Sequence, residues 1–124
     1  MTRIYLAAMA LMFLAFGAWS LLDPLGMTAG LGVDVGGANG TFEMRGIFGG
    51  VSLGAAGLCA AGAARAEMTR PALWFLIAYM GGYCIGRAAS VVIGDLPTLG
   101  TWRFVAFEAA TFVISIIALR QTTR

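Results

Sequence analysis

Three ionisable residues, Arg45, Arg87 and Glu108, fall inside runs of sequence that are otherwise apolar. The chemistry they offer is charge-assisted hydrogen bonding, in which a carboxylate accepts from one or both guanidinium groups. With Glu108 between the two arginines, such a cluster keeps an excess positive charge. That excess suits a carboxylate, a phosphate headgroup or the carbonyl oxygen of a quinone. Helical spacing puts Tyr83 and Ser90 on the face of Arg87, Gly49 and Ser52 on that of Arg45, and Thr101, Thr111 and Ser115 on that of Glu108. A charge at the centre of a membrane helix costs about 2.5–3.5 kcal/mol, so these polar stripes are expected to turn inward. Glu43, Asp95 and Arg103 lie nearer the ends of their runs and can reach towards water. The same three central residues also read as an ion network that fixes helix register and holds no ligand.

Other chemistries lack their residues. All eight basic residues are arginine, with no histidine and no lysine, which removes the imidazole base, the histidine metal ligand and the Schiff-base amine. No catalytic residue, metal site or resident cofactor is expected, although a lipid or quinone can be bound. A net charge of +2 is too small and too dispersed for nucleic acid. Cys59 and Cys84 are the two cysteines. Their expected depths differ by roughly 12 Å, beyond the roughly 7 Å Cα separation of a disulfide, so both read as packing residues.

The elements that must position these residues are membrane helices. A chain of 124 residues that is 60% hydrophobic and 11% charged, with a mean hydropathy of +0.86, is too apolar for a soluble domain. Four runs are each long enough to cross about 30 Å of hydrocarbon, at about residues 4–22, 42–64, 71–93 and 99–119. The expected fold is all-α, an integral membrane four-helix bundle in a single domain, with short connections except for a Gly-rich first loop. The first run is too long for a signal-peptide core, and Trp19, Leu21 and Leu22 spoil a cleavage site. Pro71 suits a first helical turn, and Gly94-Asp95-Leu96-Pro97 suits a tight exit. The segment PLGMTAGLGVDVGGANGT, with six glycines, reads as a long flexible loop or a lid. Arg3, the 65–70 turn and the Arg120 to Arg124 tail fall on one side, and Asp23, Asp34 and Asp95 on the other. The positive-inside rule then places both termini in the cytoplasm of a bacterial inner membrane, and puts the charged cluster in the outer leaflet.

Gly46, Gly50 and Gly54 recur every four residues, as do Ala78, Gly82, Gly86, Ser90 and Gly94. Stripes of small residues let helix backbones approach in lipid, so helix packing is expected at Gly46, Gly49, Gly50, Gly54, Gly82 and Gly86. Glycine beside Arg45 and Arg87 also leaves room for a guanidinium to fold along its helix.

Several stretches together carry a family likeness. They are YLAAMALMFLAFGAWSLLDP in the first run, MRGIFGG at 44–50, Cys84-Ile-Gly-Arg87 with Ser90 and Asp95-Leu-Pro after it, and Phe107-Glu108. The chain resembles a bacterial family of small four-helix membrane proteins filed as domain of unknown function 4345, itself distantly similar to the DoxX-like proteins. The resemblance implies fold, membrane location and signature positions at Arg45, Gly49, Gly50, Arg87 and Glu108, and it implies no established activity. Three functions follow as expectations. The first is a non-enzymatic protein that binds a lipid, quinone or other amphipathic molecule through Arg45 and Arg87, oriented by Glu108. The second is an accessory or structural subunit that docks a membrane-protein partner or a second copy. The third is a small transporter or enzyme using Glu108 as a proton carrier; the lack of histidine and of a second internal carboxylate weighs against it.

Overall fold

The computed structural model describes residues 1–122; Arg124, counted above in the basic tail, lies outside the described residues. Every regular element among the described residues is helical: α1 (Thr2–Leu22), α2 (Pro24–Gly30), α3 (Gly37–Met44), a π-helical segment (Arg45–Gly50), α4 (Val51–Ala64), α5 (Ala66–Ile93) and α6 (Leu99–Gln121). Four continuous stretches, Thr2–Leu22, Gly37–Ala64, Ala66–Ile93 and Leu99–Gln121, are long and apolar enough to cross a membrane. The protein is therefore of the all-α membrane-helical class that its composition indicates. It divides into two compact units, Met1–Thr69 and a second beginning at Arg70.

In the first unit α1 packs along α4 and the π segment. The buried row of α1 is Leu6, Met9, Ala10, Phe13, Gly17 and Ser20, spaced three and four apart as one helical face requires. The buried row of α4 is small throughout: Ser52, Ala55, Ala56, Cys59 and Gly62. Further along, the sizes reverse. A Cβ at Gly17 would lie 3.0 Å from the Leu53 side chain and 3.1 Å from the carbonyl oxygen of Gly49, and a Cβ at Gly49 would lie 2.7 Å from Leu21 Cδ2. Phe16 and Phe48 meet edge to face beside this approach, with centroids 5.9 Å apart.

The stretch between the first two spans is mostly helix rather than the expected loop. Asp23 Oδ1 accepts from the Gly26 N–H at 3.0 Å, and Pro24 takes the first helical position, where it loses no bond. The helix ends in a Schellman turn: Val33 N–H reaches Thr28 O at 2.9 Å, Gly32 N–H reaches Ala29 O at 2.9 Å, and Gly32 supplies the positive φ of 73°. Four glycines in α2 and α3 do not prevent helix, because cap and turn chemistry at the ends outweighs propensity within. The second span accordingly begins at Gly37, five residues before the expected Phe42.

The π segment, RGIFGG, explains which glycines make the contact. Its ladder runs from each N–H to the carbonyl five residues back, as in Val51 N–H to Gly46 O, so each turn holds about one more residue than an α turn. A spacing of four no longer stays on one face. Gly49 turns into the α1 contact, whereas a Cβ at Gly46 or Gly54 would meet nothing within 4 Å among the described residues, and one at Gly50 would meet only Arg45 O at 4.0 Å. Of the glycines expected at helix contacts in this span, Gly49 makes the close approach to α1, and Gly17 joins it from the other side.

The second unit is built on α5 and α6. Helix α5 starts a turn before the expected Pro71, which lies inside it and removes the N–H that would bond the Glu67 carbonyl. Its C-terminus repeats the Schellman turn: Asp95 N–H reaches Ser90 O at 2.9 Å, Gly94 N–H reaches Val91 O at 3.2 Å, and Gly94 has φ 107°. A Cβ at Gly81 would meet the Phe112 ring at 3.0 Å, while one at Gly82 or Gly86 would meet nothing within 4 Å among the described residues. The close approach falls one position away from the expected stripe.

A methyl group should therefore act with opposite sign at two glycines of the same span. Gly49→Ala, which drives a Cβ into Leu21, is expected to lower stability by about 1–3 kcal/mol. Gly54→Ala, at open space, is expected to be neutral or to gain up to about 1 kcal/mol from helix propensity. Thermal unfolding of the two variants in the same detergent checks this.

Candidate functional site

Arg87 on α5 and Glu108 on α6 form a side-on bidentate pair. Arg87 Nε donates to Glu108 Oε2 at 3.2 Å and Nη2 donates to Oε1 at 3.0 Å. Glu108 is 8% exposed, whereas 41% of the Arg87 side chain is accessible. The carboxylate is thus held in the interior, and the arginine spans from it to the outside. The fork leaves Nη1 without a partner among the described residues. Below Glu108 on the same face, Thr111 and Ser115 are buried too, so α6 presents a continuous polar row inward.

Arg87 also closes an aromatic ladder on its own helix. Phe75, Tyr79, Tyr83 and Arg87 are spaced four apart and stand one above another. Phe75 stacks on Tyr79 with centroids 5.3 Å apart, and Tyr79 meets Tyr83 edge-on at 5.2 Å. Their hydroxyls lie 3.4 Å apart, and the Arg87 guanidinium sits 5.8 Å from the Tyr83 ring centroid. Within that distance a ring face attracts a cation. Tyr83 therefore fixes the guanidinium from one side and Glu108 from another.

Beyond the pair a cleft of about 480 Å³ opens at the end of the helices that carries the Gly94 turn. Its lining comprises the polar residues Arg87, Ser90, Asp95 and Thr101 and the apolar Val91, Leu96, Trp102 and Val105, with Gly94 and Pro97 at the turn. The cleft is open to the outside, and its lining mixes polar and apolar residues. Ser90, expected beside Arg87 from its spacing, lines this cleft. Thr101, Trp102 and Asp95 join it because the Schellman turn at Gly94 folds the chain back; Trp102 and Leu96 have no polar pattern that sequence reasoning could have picked out. Tyr79 was legible from the four-residue spacing of the ladder.

Arg45 does other work. Its Nε donates to the Leu21 carbonyl at 3.1 Å, one of the last carbonyls of α1, which have no partner within the helix. At the opposite end of the same pair of helices Arg3 Nη2 donates to Ala64 O at 2.6 Å, the last carbonyl of α4. Each span is capped by an arginine from the other, a cation at the negative end of the helix dipole. Ser52, expected from α-helical spacing to share the Arg45 face, is buried with its hydroxyl unpartnered among the described residues, while Arg45 is exposed. Cys59 and Cys84 are both free thiols, and no group of three or more His, Cys, Asp or Glu that could hold a metal ion occurs among the described residues.

Removing Arg87 strands a buried carboxylate. Arg87→Ala is expected to cost about 2–3 kcal/mol, less than the 3–5 kcal/mol of a fully buried pair because the arginine is part-exposed. Adding Glu108→Gln should recover much of that loss, since the amide has no charge to leave unpaired. A double-mutant cycle on unfolding in detergent measures the coupling.

No curated protein and no solved structure matches the chain. A family model does, over residues 1–119. With four membrane-length helices, two of which carry the ion pair, the aromatic ladder and the cleft, the chain belongs to the family described as Domain of unknown function (DUF4345).

Proposed function

We propose that this small membrane protein binds the polar head of an amphipathic molecule, a lipid or a quinone, in the cleft beside Arg87. The observation that carries the reading is the geometry of Arg87. Its Nε and Nη2 edge is held by Glu108, while Arg87 also lines the cleft together with Ser90 and Thr101. A preorganised guanidinium loses little freedom on taking up a second acceptor. The apolar lining of Val91, Trp102 and Val105 receives the part of the ligand next to its head. Around the cleft Ile85, Val92, Ile93 and Leu99 are largely exposed, which suits a tail that stays in the hydrocarbon. In this reading Glu108 orients Arg87, and Arg45 serves as a helix cap.

Protein purified in mild detergent is expected to carry an amphipathic adduct in native mass spectrometry. Thr101→Trp fills the cleft while sparing the ion pair, and should abolish the adduct with little change in thermal stability. An adduct retained equally by Thr101→Trp and by Arg87→Ala counts against the cleft.

The reading includes an orientation in which both termini are cytoplasmic and the cleft opens in the outer leaflet of a bacterial inner membrane. Along the sequence, Arg3, Arg65, Arg70 and Arg120 alternate with Asp23, Asp34 and Asp95 from one span end to the next, which is the bias of the positive-inside rule. A reporter that is active only outside the cytoplasm should be silent when fused after Arg124 and active when inserted at Leu96; the reverse pattern inverts the assignment.

A further inference from the structure

The charges that line the cleft narrow the class of ligand, and the argument rests on the cleft reading above. Glu108 already neutralises Arg87, and Asp95 adds a carboxylate at the mouth. Arg103, next in sequence to the lining Trp102, does not border the cleft. Arg87, Glu108 and Asp95 together carry one net negative charge, so a head that is purely anionic gains from Arg87 and loses to Asp95. A quinone carbonyl uses Arg87 and leaves Asp95 without a role. A head with both an anionic and a cationic group uses both ends of the cleft.

The order of the charges matters as much as their sum. Seven residues of helix separate Arg87 from Gly94, which puts Arg87 about 10 Å deeper than the turn that carries Asp95. A ligand that satisfies both has its anion towards the middle of the membrane and its cation towards water. That is the order in a zwitterionic phospholipid, where the acyl chains join the phosphate and the amine points outward. Asp95 is exposed, and its carboxylate has no hydrogen bond or ion pair among the described residues, so it is free to accept from an ammonium group. Trp102, part of the same lining and 41% exposed, offers an indole ring, the aromatic surface that holds cations best.

The geometry points to a phosphate–ammonium zwitterion as the head recognised here: the phosphate on the free edge of Arg87 with the hydroxyls of Ser90 and Thr101, and the primary ammonium on Asp95 beside Trp102. The source is a membrane aminophospholipid, whose chains run along the exposed apolar faces of α5 and α6.

The test uses the full chain reconstituted in vesicles of equal phosphatidylethanolamine and phosphatidylglycerol, then extracted into mild detergent for native mass spectrometry. Wild type is expected to retain phosphatidylethanolamine over phosphatidylglycerol by roughly tenfold, the scale of one charge-assisted hydrogen bond. Asp95→Asn should bring the ratio near one with total adduct little changed, and Asp95→Glu should restore the preference. A wild-type protein that holds both lipids equally, or a preference that survives Asp95→Asn, overturns the inference; if Thr101→Trp still removes that adduct, the cleft reading stands without it. If wild type carries no adduct, the cleft reading falls as well. Free O-phosphoethanolamine in excess is expected to leave the lipid adduct in place; displacement by it overturns the membrane source.

Discussion

Three arginines set against apolar spans each find an acceptor nearby, which hydrocarbon would not supply. Arg3 finds the carbonyl of Ala64, Arg45 that of Leu21, and Arg87 the carboxylate of Glu108. The acceptor available to each decides its role. A helix-end carbonyl turns an arginine into a clamp between neighbouring spans. A carboxylate turns it into a rigid, neutralised platform with donors to spare. The residue type is the same in each case, and the difference lies in what the second partner leaves unused.

The π segment is tied to the same constraint. Arg45 begins it and Gly49 lies within it, and both meet Leu21 near the end of α1: Arg45 its carbonyl and Gly49 its side chain. An α-helical register would carry the buried glycine round to another face relative to the arginine. The extra residue per turn lets one short segment offer both a donor and a close backbone approach to the same residue of α1. Glycine at 46, 49 and 50 suits a widened turn because it adds no side chain to the segment. The departure from α geometry thus sits where the capping arginine and the tight contact coincide, as π segments at specialised positions commonly do.

The fold class was legible because hydrophobicity of this length has few interpretations. The Gly94 turn was legible because a glycine followed by Asp-Leu-Pro stops a helix. Two features escaped. The first loop hid two helices, since six glycines weigh against helix while the signals that favour it, Asp23-Pro24 and Gly32, are single residues at the ends. Among the packing glycines, Gly49 was read but Gly17 and Gly81 were not, because a spacing of four marks one face of one α-helix and carries no information about which neighbour comes close. In the candidate site the facial grouping of Tyr83, Arg87 and Ser90 could be read from the sequence, as could the inward row at Glu108, Thr111 and Ser115. The cleft itself could not, because its wall comes from Leu96 and Trp102, whose place depends on how the chain turns back after Gly94.

Neutralising Arg87 has a consequence for what such a small protein can discriminate. An arginine left with its full charge in a membrane cleft attracts any anion, and the membrane surface holds anionic lipids in abundance. A guanidinium already paired with a carboxylate keeps its directional donors but loses most of that indiscriminate pull, so shape and the remaining polar groups decide what stays. Glu108 is therefore more than a means of tolerating Arg87 in the interior. In the proposed reading, by removing the net charge and fixing the plane of the guanidinium, it converts a general anion attractor into a site whose preference would be set by neighbours as modest as Ser90, Thr101, Asp95 and Trp102.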